Sequence, residues 1–417
     1  MNLLRTLFGL TLALTLGVSF ATGDGDTNTN PQDRIELIGV AEIPGTAIDK
    51  SGLSQELDAD STNNMLGGFS GTAYSGKDDL YYFLSDRGPK DGAVDWSCRV
   101  QSFRVTTNLE QEPSISVQLV ETNLLRDARG IPFTGLASCY ERSAQKTGRL
   151  DPEGIRVAPS GNLLISDEYG PRLIEFNSSG KLVREFSVPQ KLLIENPGLS
   201  KADENPKNVV GRQCNRGMEG LAISLDHQTL YGLMQSPLLQ DSYRENITDK
   251  PSGLNCRLEQ LSIDGKSEKE YLYHLDDNSN KLNEILACSE TSFVVIERDG
   301  EAGDDAVFKK LMLISLANAT DISSIDKLPP TEIPKDVRAV KKKVLIDLLN
   351  PEWNLAGEKM PEKIEGLAFG PDLADGRKLL LVSSDNDFER KNASYIYAFA
   401  IPRKALEFDQ WVTVRDQ

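Results

Sequence analysis

The chain has 417 residues, with 63 acidic against 46 basic side chains and a formal net charge of −17 at pH 7. Nucleic acid is an unfavourable partner for so acidic a chain, and so is an anionic membrane surface, because like charges repel. The two histidines, His227 and His274, fall in a turn and an outer strand of the predicted fold. A Ser-His-Asp triad or a histidine-ligated zinc site is therefore not expected.

The first residues have the pattern of a secretory signal peptide. Arg5 precedes an apolar run from Leu7 to Phe20, and the small residue Ala21 follows. The run of about 14 residues is shorter than the ~20 that a membrane-spanning helix needs. We expect a signal peptide over 1–21, a disordered lead-in over 22–34 and one domain over 35–417. The protein should be secreted or periplasmic, with no membrane span after signal cleavage.

A short motif recurs along the rest of the chain, in which an acidic or small residue, usually followed by glycine, opens an apolar strand. Copies begin at Ser70, Glu153, Glu219, Glu284 and Glu365. The copies lie roughly 60–80 residues apart, and each is followed by further short strands and turns, as in propeller proteins. The sequence predicts an all-β β-propeller with five clear four-stranded blades and leaves room for a sixth in the loops.

The predicted blades cover 69–122, 153–187, 219–275, 283–347 and 364–401. Residues 35–43 should complete the last blade, which closes the ring and removes a free sheet edge. Trp411 to Val414 should add a further edge strand. Two long insertions, 123–150 and 188–217, each precede the first strand of a blade, so both should lie on the face where the motif residues gather. Long loops on one face of a rigid scaffold usually carry function.

Acidic residues should converge at one mouth of this propeller, because the start of one strand and the end of its antiparallel neighbour share an edge. Converging carboxylates repel unless a cation neutralises them, and an oxygen-only ligand set suits a hard cation such as Ca²⁺. The alternative is that each glutamate accepts hydrogen bonds from the backbone of a neighbouring blade. The predicted metal ligands are Glu153, Glu219, Glu284, Glu365, Asp86 and Asp385.

Basic residues accompany these acids in the sequence. The guanidinium group is a planar, permanently charged fork that fits phosphate or carboxylate. We therefore expect Arg87, Arg216 and Arg298 to bind the substrate, and the alternative is that each neutralises its neighbouring acid. Asp167 and Glu168, at the end of a second strand, are the expected catalytic residues.

Five cysteines occur in a chain expected to be secreted. Their positions at strand starts on the acidic face favour the pairs Cys98–Cys139 and Cys214–Cys256, with Cys288 left over. Sequence alone does not fix a connectivity, and the alternative is five reduced thiols.

The motifs resemble those of the phytase-like family described as having esterase-like activity of phytase. The resemblance covers roughly 65–400 and rests on Phe69-Ser70-Gly71, Ser85 to Gly88, Asp151 to Ile155, Ser166 to Glu168, Arg216 to Leu221 and Glu365 to Ala368. It implies a distant relation to the β-propeller phytases, which use Ca²⁺ and basic side chains at a channel mouth to hydrolyse phosphate esters. This chain lacks their dense Lys/Arg cluster, which argues against phytate itself as the substrate.

Two functions are compatible with these observations. In the first, the chain is a Ca²⁺-dependent hydrolase acting on a small anionic ester, phosphoric or related, as a monomer. In the second, the mouth binds a ligand or a protein partner without turnover, and Ca²⁺ only stiffens the ring. An open metal position favours the enzyme, and a position filled by protein groups favours the binding protein.

Overall fold

A computed structural model describes residues 31–110, 113–139 and 148–408. The predicted signal peptide, residues 22–30 of the predicted lead-in and the predicted strand from Trp411 to Val414 lie outside these ranges. The described residues form five four-stranded sheets in which all paired neighbours are antiparallel. None of the helices in this part of the chain is long and apolar enough to cross a membrane.

The strands follow one another in chain order and group into five blades. Strand β1 is Glu36–Ile43. Blade I has β2 Phe69–Tyr74, β3 Leu80–Ser85, β4 Arg99–Thr107 and β5 Ile115–Leu124, and blade II has β6 Pro152–Val157, β7 Leu163–Asp167, β8 Arg172–Phe176 and β9 Leu182–Phe186. Blade III has β10 Met218–Ile223, β11 Thr229–Met234, β12 Asn255–Ser262 and β13 Ser267–His274, and blade IV has β14 Lys281–Ala287, β15 Ser292–Arg298, β16 Lys309–Ser315 and β17 Lys341–Asp347. Blade V has β18 Lys363–Asp372, β19 Lys378–Asp385 and β20 Ser394–Ile401.

Helical structure is confined to short pieces between the strands. The α-helix α1 is Lys201–Glu204. Single 3₁₀ turns occur at Pro31–Asp33, Pro89–Gly92, Gln190–Leu192, Asn205–Lys207, Leu239–Asp241, Gly303–Asp305, Pro351–Trp353 and Arg403–Leu406.

The first strand closes the ring. The inner strands β2, β6, β10, β14 and β18 contact one another in sequence, and β18 also contacts β2. Strand β1 pairs antiparallel with β20, with Glu36 opposite Ala400 and Val40 opposite Tyr397, and so becomes the outer strand of blade V. The five-bladed propeller and its closure by the N-terminal strand are confirmed, and the described residues contain no sixth blade.

The hydrophobic core is divided among the interfaces between blades. Val294 of blade IV and Leu380 of blade V belong to one buried cluster, and Leu84 of blade I and Ile165 of blade II belong to another. The central strands are buried on both faces for this reason, as in β7, where all five residues are buried. Each blade therefore depends on both neighbours for the burial of its apolar surface.

Every inner strand carries a β-bulge at the same end. In β10, Met218 pairs with Met234 and Gly220 with Leu233, so Glu219 is the extra, unpaired residue. The same shift occurs in β2, β6, β14 and β18. A bulge re-aims a side chain away from the sheet, which turns the motif residue toward the centre of the ring.

The glycine that follows the bulged residue allows neighbouring blades to approach closely. A Cβ atom on Gly154 would lie 2.7 Å from the backbone nitrogen of Leu221, and one on Gly220 would lie 3.0 Å from that of Ile285. The recurring Glu-Gly pair thus combines a residue aimed at the axis with a residue that has no side chain at the blade contact.

The predicted disulfides are not formed, since all five cysteines are free thiols. Cys98 is buried and its thiol donates to the Leu150 carbonyl oxygen at 3.3 Å. Cys256 is buried in the cluster between blades III and IV, and burial raises its pKa well above the usual value. These side chains act as core residues, which the prediction missed because shared location on one face does not bring two sulfur atoms together.

The two long insertions meet at the end of β7. Tyr169 Oη donates to the Gly135 carbonyl oxygen at 2.9 Å, and Arg212 Nη2 donates to the Tyr169 carbonyl oxygen at 2.9 Å. Both insertions therefore lie on the predicted face, although residues 140–147 of the first are outside the described part of the chain.

Candidate metal and substrate site at the propeller mouth

Five bulged positions, one from each blade, form an inner ring at one end of the propeller. They are occupied by Ser70, Glu153, Glu219, Asn283 and Glu365. Asn283 Nδ2 donates to Glu219 Oε1 at 2.8 Å and to Glu365 Oε1 at 3.0 Å, so these side chains connect blades III, IV and V. The structure brings Glu153, Glu219 and Glu365 together, as the repeat predicted.

Several oxygens of this inner ring lack hydrogen-bond donors. The Glu153 side chain is 6 % exposed, and its carboxylate accepts no hydrogen bond from any residue in the described ranges. Glu219 Oε1 accepts from Gln235 Nε2 at 2.7 Å, whereas Glu219 Oε2 and Asn283 Oδ1 are buried without a described partner. A buried polar atom left unpaired costs about 1–3 kcal/mol. The ring therefore presents oxygens suited to a cation.

Burial and mutual repulsion raise the pKa values of these carboxyls. Burial is the largest cause for Glu153, followed by the charges of Glu219 and Asp151. Burial also dominates for Glu219, followed by the charges of Glu168 and Glu365. Both pKa values lie well above the usual range, so the two carboxylates need a cation or a proton at neutral pH.

A second ring lies beside the first. It is formed by the last residue of the second strand of each blade or by the residue directly after that strand. Its members are Asp86, Glu168, Gln235, Arg298 and Asp385. Four of them are predicted site residues. The blade repeat thus places chemically different side chains at equivalent positions of one mouth.

Asp151, Glu153 and Glu168 form the tightest group of acids. One carboxylate oxygen from each lies within 4.8 Å of the other two. Burial, then the charge of Asp151, raises the pKa of Glu168 to about 7. Asp151 was not among the predicted ligands, although it belongs to the same motif.

Arg87 neutralises part of this acidic group. It forms a salt bridge with Asp151, lies 3.4 Å from Glu168 Oε2 through Nη1 and bonds Asp91 Oδ1 at 2.7 Å through Nη2. Its backbone N–H also donates to Asp151 Oδ1 at 3.0 Å. These contacts fit the alternative expectation that the arginine balances neighbouring acids.

Asp167 is fully buried and both of its oxygens are engaged. Oδ1 accepts from the Asp151 backbone N–H at 2.8 Å, and Oδ2 pairs with Arg172 Nε at 2.7 Å. The two predicted catalytic residues therefore have different surroundings. Glu168 belongs to the acidic group, whereas Asp167 pairs with Arg172 of β8.

Lys363 balances the acids of blades I and V. Its ammonium lies 2.9 Å from Asp385 Oδ2 and also pairs with Asp387. Burial, then the charge of Asp385, raises the pKa of Asp86 well above the usual value. The predicted ligands Asp86 and Asp385 thus lie near each other, with a lysine already beside them.

A group of basic side chains also lies at the mouth, within electrostatic range of one another. Arg298 pairs with Glu365 Oε1 at 2.7 Å, whereas Lys201, Arg216 and Lys281 form no salt bridge with a described carboxylate. Burial, then the charges of Arg298 and Arg216, lowers the pKa of Lys281 to about 7. The sequence predicts Arg216 and Arg298, but Lys201 and Lys281, the first residues of α1 and β14, carry no motif signal.

Glu284 lies outside the inner ring. Register places Asn283 at the bulged position and Glu284 at the position that glycine holds elsewhere. Glu284 Oε1 accepts from the Leu221 backbone N–H at 3.0 Å and lies 3.1 Å from Arg156 Nη2, while Arg156 also donates to the Thr72 and Ile285 carbonyl oxygens. The pair links blades I, II, III and IV. This arrangement fits the alternative expectation of backbone capping.

Comparison with known families gives one match that covers most of the chain. A family model described as "Phytase-like: Esterase-like activity of phytase" matches residues 64–388. An "Uncharacterized secreted protein" of Arthroderma benhamiae is 25% identical over 466 residues, covering 84% of this chain and 86% of that protein.

Solved structures give weaker similarities. The PQQ-bound aldose sugar dehydrogenase of Streptomyces coelicolor is 15% identical, with 85% of this chain and 84% of that chain covered and a TM-score of 0.36. The periplasmic gluconolactonase PpgL of Pseudomonas aeruginosa is 10% identical, with 87% and 97% covered and a TM-score of 0.34. Similarities at these scores do not bear on function.

Proposed function

The chain belongs to the phytase-like family, described by its esterase-like activity, and from this premise we propose that it is a secreted hydrolase that cleaves a small anionic ester with the help of a bound Ca²⁺ ion. The observation that carries the proposal is the set of inner-ring oxygens without donors among the described residues: Glu219 Oε2 and Asn283 Oδ1, which are buried, and the carboxylate of Glu153. An oxygen-only donor set of carboxylates and an amide fits a hard cation and does not fit zinc, which prefers nitrogen and sulfur.

The residues that would hold the ion are Asp151, Glu153, Glu219 and Asn283, while Glu168 beside them stays free as the proton acceptor. A bound Ca²⁺ ion supplies Lewis-acid polarisation of an ester oxygen. The positive charge would offset the carboxylate repulsion that adds to burial in raising the pKa values of Glu153 and Glu219.

The basic residues of the mouth would bind the anionic group of the ester. Arg216 and Lys281 form no salt bridge with a carboxylate in the described part of the chain, so both can pair with an incoming anion, although the pKa of Lys281, about 7, leaves it only partly protonated at neutral pH. Such contacts fix the orientation of the ester relative to the acidic residues. Arg298 is held by Glu365 and adds positive charge at a fixed position.

Glu168 is the best placed proton acceptor. Without a bound cation its pKa is about 7, raised by burial and by the charge of Asp151, and a neighbouring cation would lower it. Asp167 is bound to Arg172 and to the Asp151 backbone, so we assign it the role of holding Asp151 in place.

The proposal is tested first by metal binding and turnover. Ca²⁺ should raise the melting temperature, because a ligand at a hundredfold excess over Kd stabilises the fold by about 2.7 kcal/mol, and a chelator should reverse the effect. A panel of nitrophenyl phosphates and carboxyl esters then tests for Ca²⁺-dependent hydrolysis. Ca²⁺ binding without turnover of any ester would favour the binding protein, and indifference of melting to Ca²⁺ and chelator would contradict a metal site.

Substitutions test the roles of the basic and the acidic residues of the mouth separately. Arg216→Ala should raise KM strongly, because a charge-assisted contact to the substrate is lost. Glu219→Gln should remove most of kcat, with partial rescue by high Ca²⁺, because the amide keeps the shape of the side chain but not its charge. Glu290→Gln, an exposed carboxylate on the β14–β15 turn, is the matched control and should behave like the wild type.

A further inference from the structure

The ammonium group of Lys309 lies in a cage of four oxygen atoms. Lys309 is the first residue of β16 and is fully buried. Its Nζ donates to Asp299 Oδ1 at 2.7 Å and lies 3.3 Å from the Asp299 carbonyl oxygen, and it contacts the carbonyl oxygens of Glu301 and Glu362 at 2.7 and 2.6 Å. Lysine is almost never fully buried unless it is paired. The four oxygens therefore form a cation site that the chain fills with its own ammonium group.

Asp299 gives the four-oxygen cage its negative charge. Its Oδ2 accepts the backbone N–H groups of Val307 and Phe308 at 2.7 Å each, and its Oδ1 accepts that of Glu301 at 3.1 Å. Burial acts against ionisation of Asp299, yet the hydrogen bonds from Lys309 and from these N–H groups lower its pKa. The carboxylate is therefore charged at neutral pH, and the cage needs a counter-cation.

One wall of the cage also holds a cation of the mouth. Arg298 directly precedes Asp299, and its Nη1 donates at 3.0 Å to the same Asp299 carbonyl oxygen that Lys309 contacts. Through Nη2 the guanidinium group pairs with Glu365 Oε1 of the inner ring at 2.7 Å. The orientation of Arg298 therefore depends on a carbonyl group that Lys309 fixes in place.

The opposite wall of the cage leads to a second cation of the mouth. Glu362, whose carbonyl oxygen contacts Lys309, directly precedes Lys363, the first residue of β18. Lys363 pairs with Asp385 at 2.9 Å. Lys309 thus joins the β15–β16 loop to the start of blade V, with a cation of the mouth beside each junction.

We propose that Lys309 is a positioning residue of the mouth, because its ammonium group fills a monovalent-cation site and through that site holds the guanidinium group of Arg298 in place. The ligand class of the site is a primary ammonium group, whose N–H donors match carbonyl and carboxylate oxygens. Without the lysine side chain the site should accept a small alkylammonium ion from solution. The link to substrate binding rests on the proposed function, whereas the cation site and its hold on Arg298 do not.

Chemical rescue tests the cation site. Lys309→Ala removes the atoms of an n-propylammonium ion, and its melting temperature is compared in n-propylammonium chloride and in tetramethylammonium chloride at equal concentration. n-Propylammonium should restore at least half of the lost melting temperature, because only this ion can donate to the cage oxygens. Refolding of Lys309→Ala in n-propylammonium alone would be the same rescue. Wild type and Lys77→Ala, at an exposed lysine on the β2–β3 turn, should melt equally in both salts. Equal behaviour of Lys309→Ala in the two salts would overturn the cation site.

A double-mutant cycle tests the hold on Arg298 without turnover. Lys309→Met keeps most of the aliphatic stem and removes the charge. The fall in melting temperature caused by Arg298→Ala should be at most half as large in the Lys309→Met background as in the wild type, because the contacts of Arg298 are already weakened there. In the Lys77→Met background the fall should equal that in the wild type. An equal or larger fall in the Lys309→Met background would overturn the positioning role.

Kinetics then test the link to the substrate. With Ca²⁺ present, Lys309→Met should raise KM for a nitrophenyl phosphate as much as Arg298→Ala does, with kcat nearly unchanged, because both changes remove the same binding contact. n-Propylammonium should lower the raised KM of Lys309→Ala. An unchanged KM in Lys309→Met would overturn the link. Absence of any turnover by the wild type would contradict the hydrolase, whereas rescue of melting by n-propylammonium would still support the cation site.

Discussion

Asn283 and Glu284 are neighbours in the chain, yet the fold gives them different roles. Asn283 lies at the bulge and faces Glu219 and Glu365, whereas Glu284 accepts the Leu221 backbone N–H and pairs with Arg156. Both members of the Arg156–Glu284 pair are buried. A buried charge that loses its partner is strongly destabilising, so this pair should matter for stability rather than for metal binding.

Glu284→Ala should lower the free energy of unfolding by about 3–5 kcal/mol, because the Arg156 guanidinium stays buried without a counter-charge. Chemical denaturation measures the loss. The double variant Arg156→Met/Glu284→Leu should recover much of it, because apolar residues of similar volume replace the pair. A loss below about 1 kcal/mol in the single variant would contradict the assigned role.

At the scale of the element, the bulge of each inner strand determines the site. Its geometry requires a residue aimed at the axis followed by one that leaves room for the next blade, which is why Glu-Gly recurs. Blade IV departs from the pattern with Asn-Glu, and there the second residue, Glu284, pairs with Arg156 of blade II.

Gly154→Ala should destabilise the fold by about 1–3 kcal/mol, since the new Cβ would lie 2.7 Å from the Leu221 backbone nitrogen and the blades must shift to admit it. Thermal and chemical unfolding test this expectation. Gly300→Ala is a suitable control, because its Cβ would meet nothing closer than 3.5 Å. Equal stability of the two variants would show that the close approach is not needed.

At the scale of the whole molecule, stability depends on closure of the ring. Strand β1 covers the free edge of β20, and its residues Ile38 and Ile43 belong to the cluster between blades V and I. Loss of this strand would expose a sheet edge and an apolar interface together.

A chain that begins at residue 45 should therefore fail to unfold cooperatively and should aggregate, whereas one that begins at residue 31 should keep the wild-type melting temperature. Size-exclusion chromatography and calorimetry distinguish the two. As a milder change, Ile43→Ala should cost about 2–5 kcal/mol, because Ile43 is 5 % exposed. A shortened chain that melts like the wild type would show that blade V is stable without β1.

The sequence by itself determined the architecture, because the repeat has a local physical cause. Each Glu-Gly or Ser-Gly pair marks a bulge at the start of an inner strand, and the turn residues between apolar runs set the strand order. It also predicted that Glu153, Glu219 and Glu365 converge, because antiparallel strands bring equivalent ends to one edge. Expected secretion and the expected monomer remain predictions.

Only the tertiary structure decided which charged side chains are already paired with an opposite charge and which are not. Arg87 and Lys363 turned out to balance nearby acids, while Lys201, Arg216 and Lys281 have no described salt-bridge partner. Asn283 rather than Glu284 occupies the ring position in blade IV because of the strand register, which differs by one residue from the prediction. The absence of disulfides depends on distances between sulfur atoms. Such features arise where side chains from different blades meet, and sequence spacing within one blade does not contain that information.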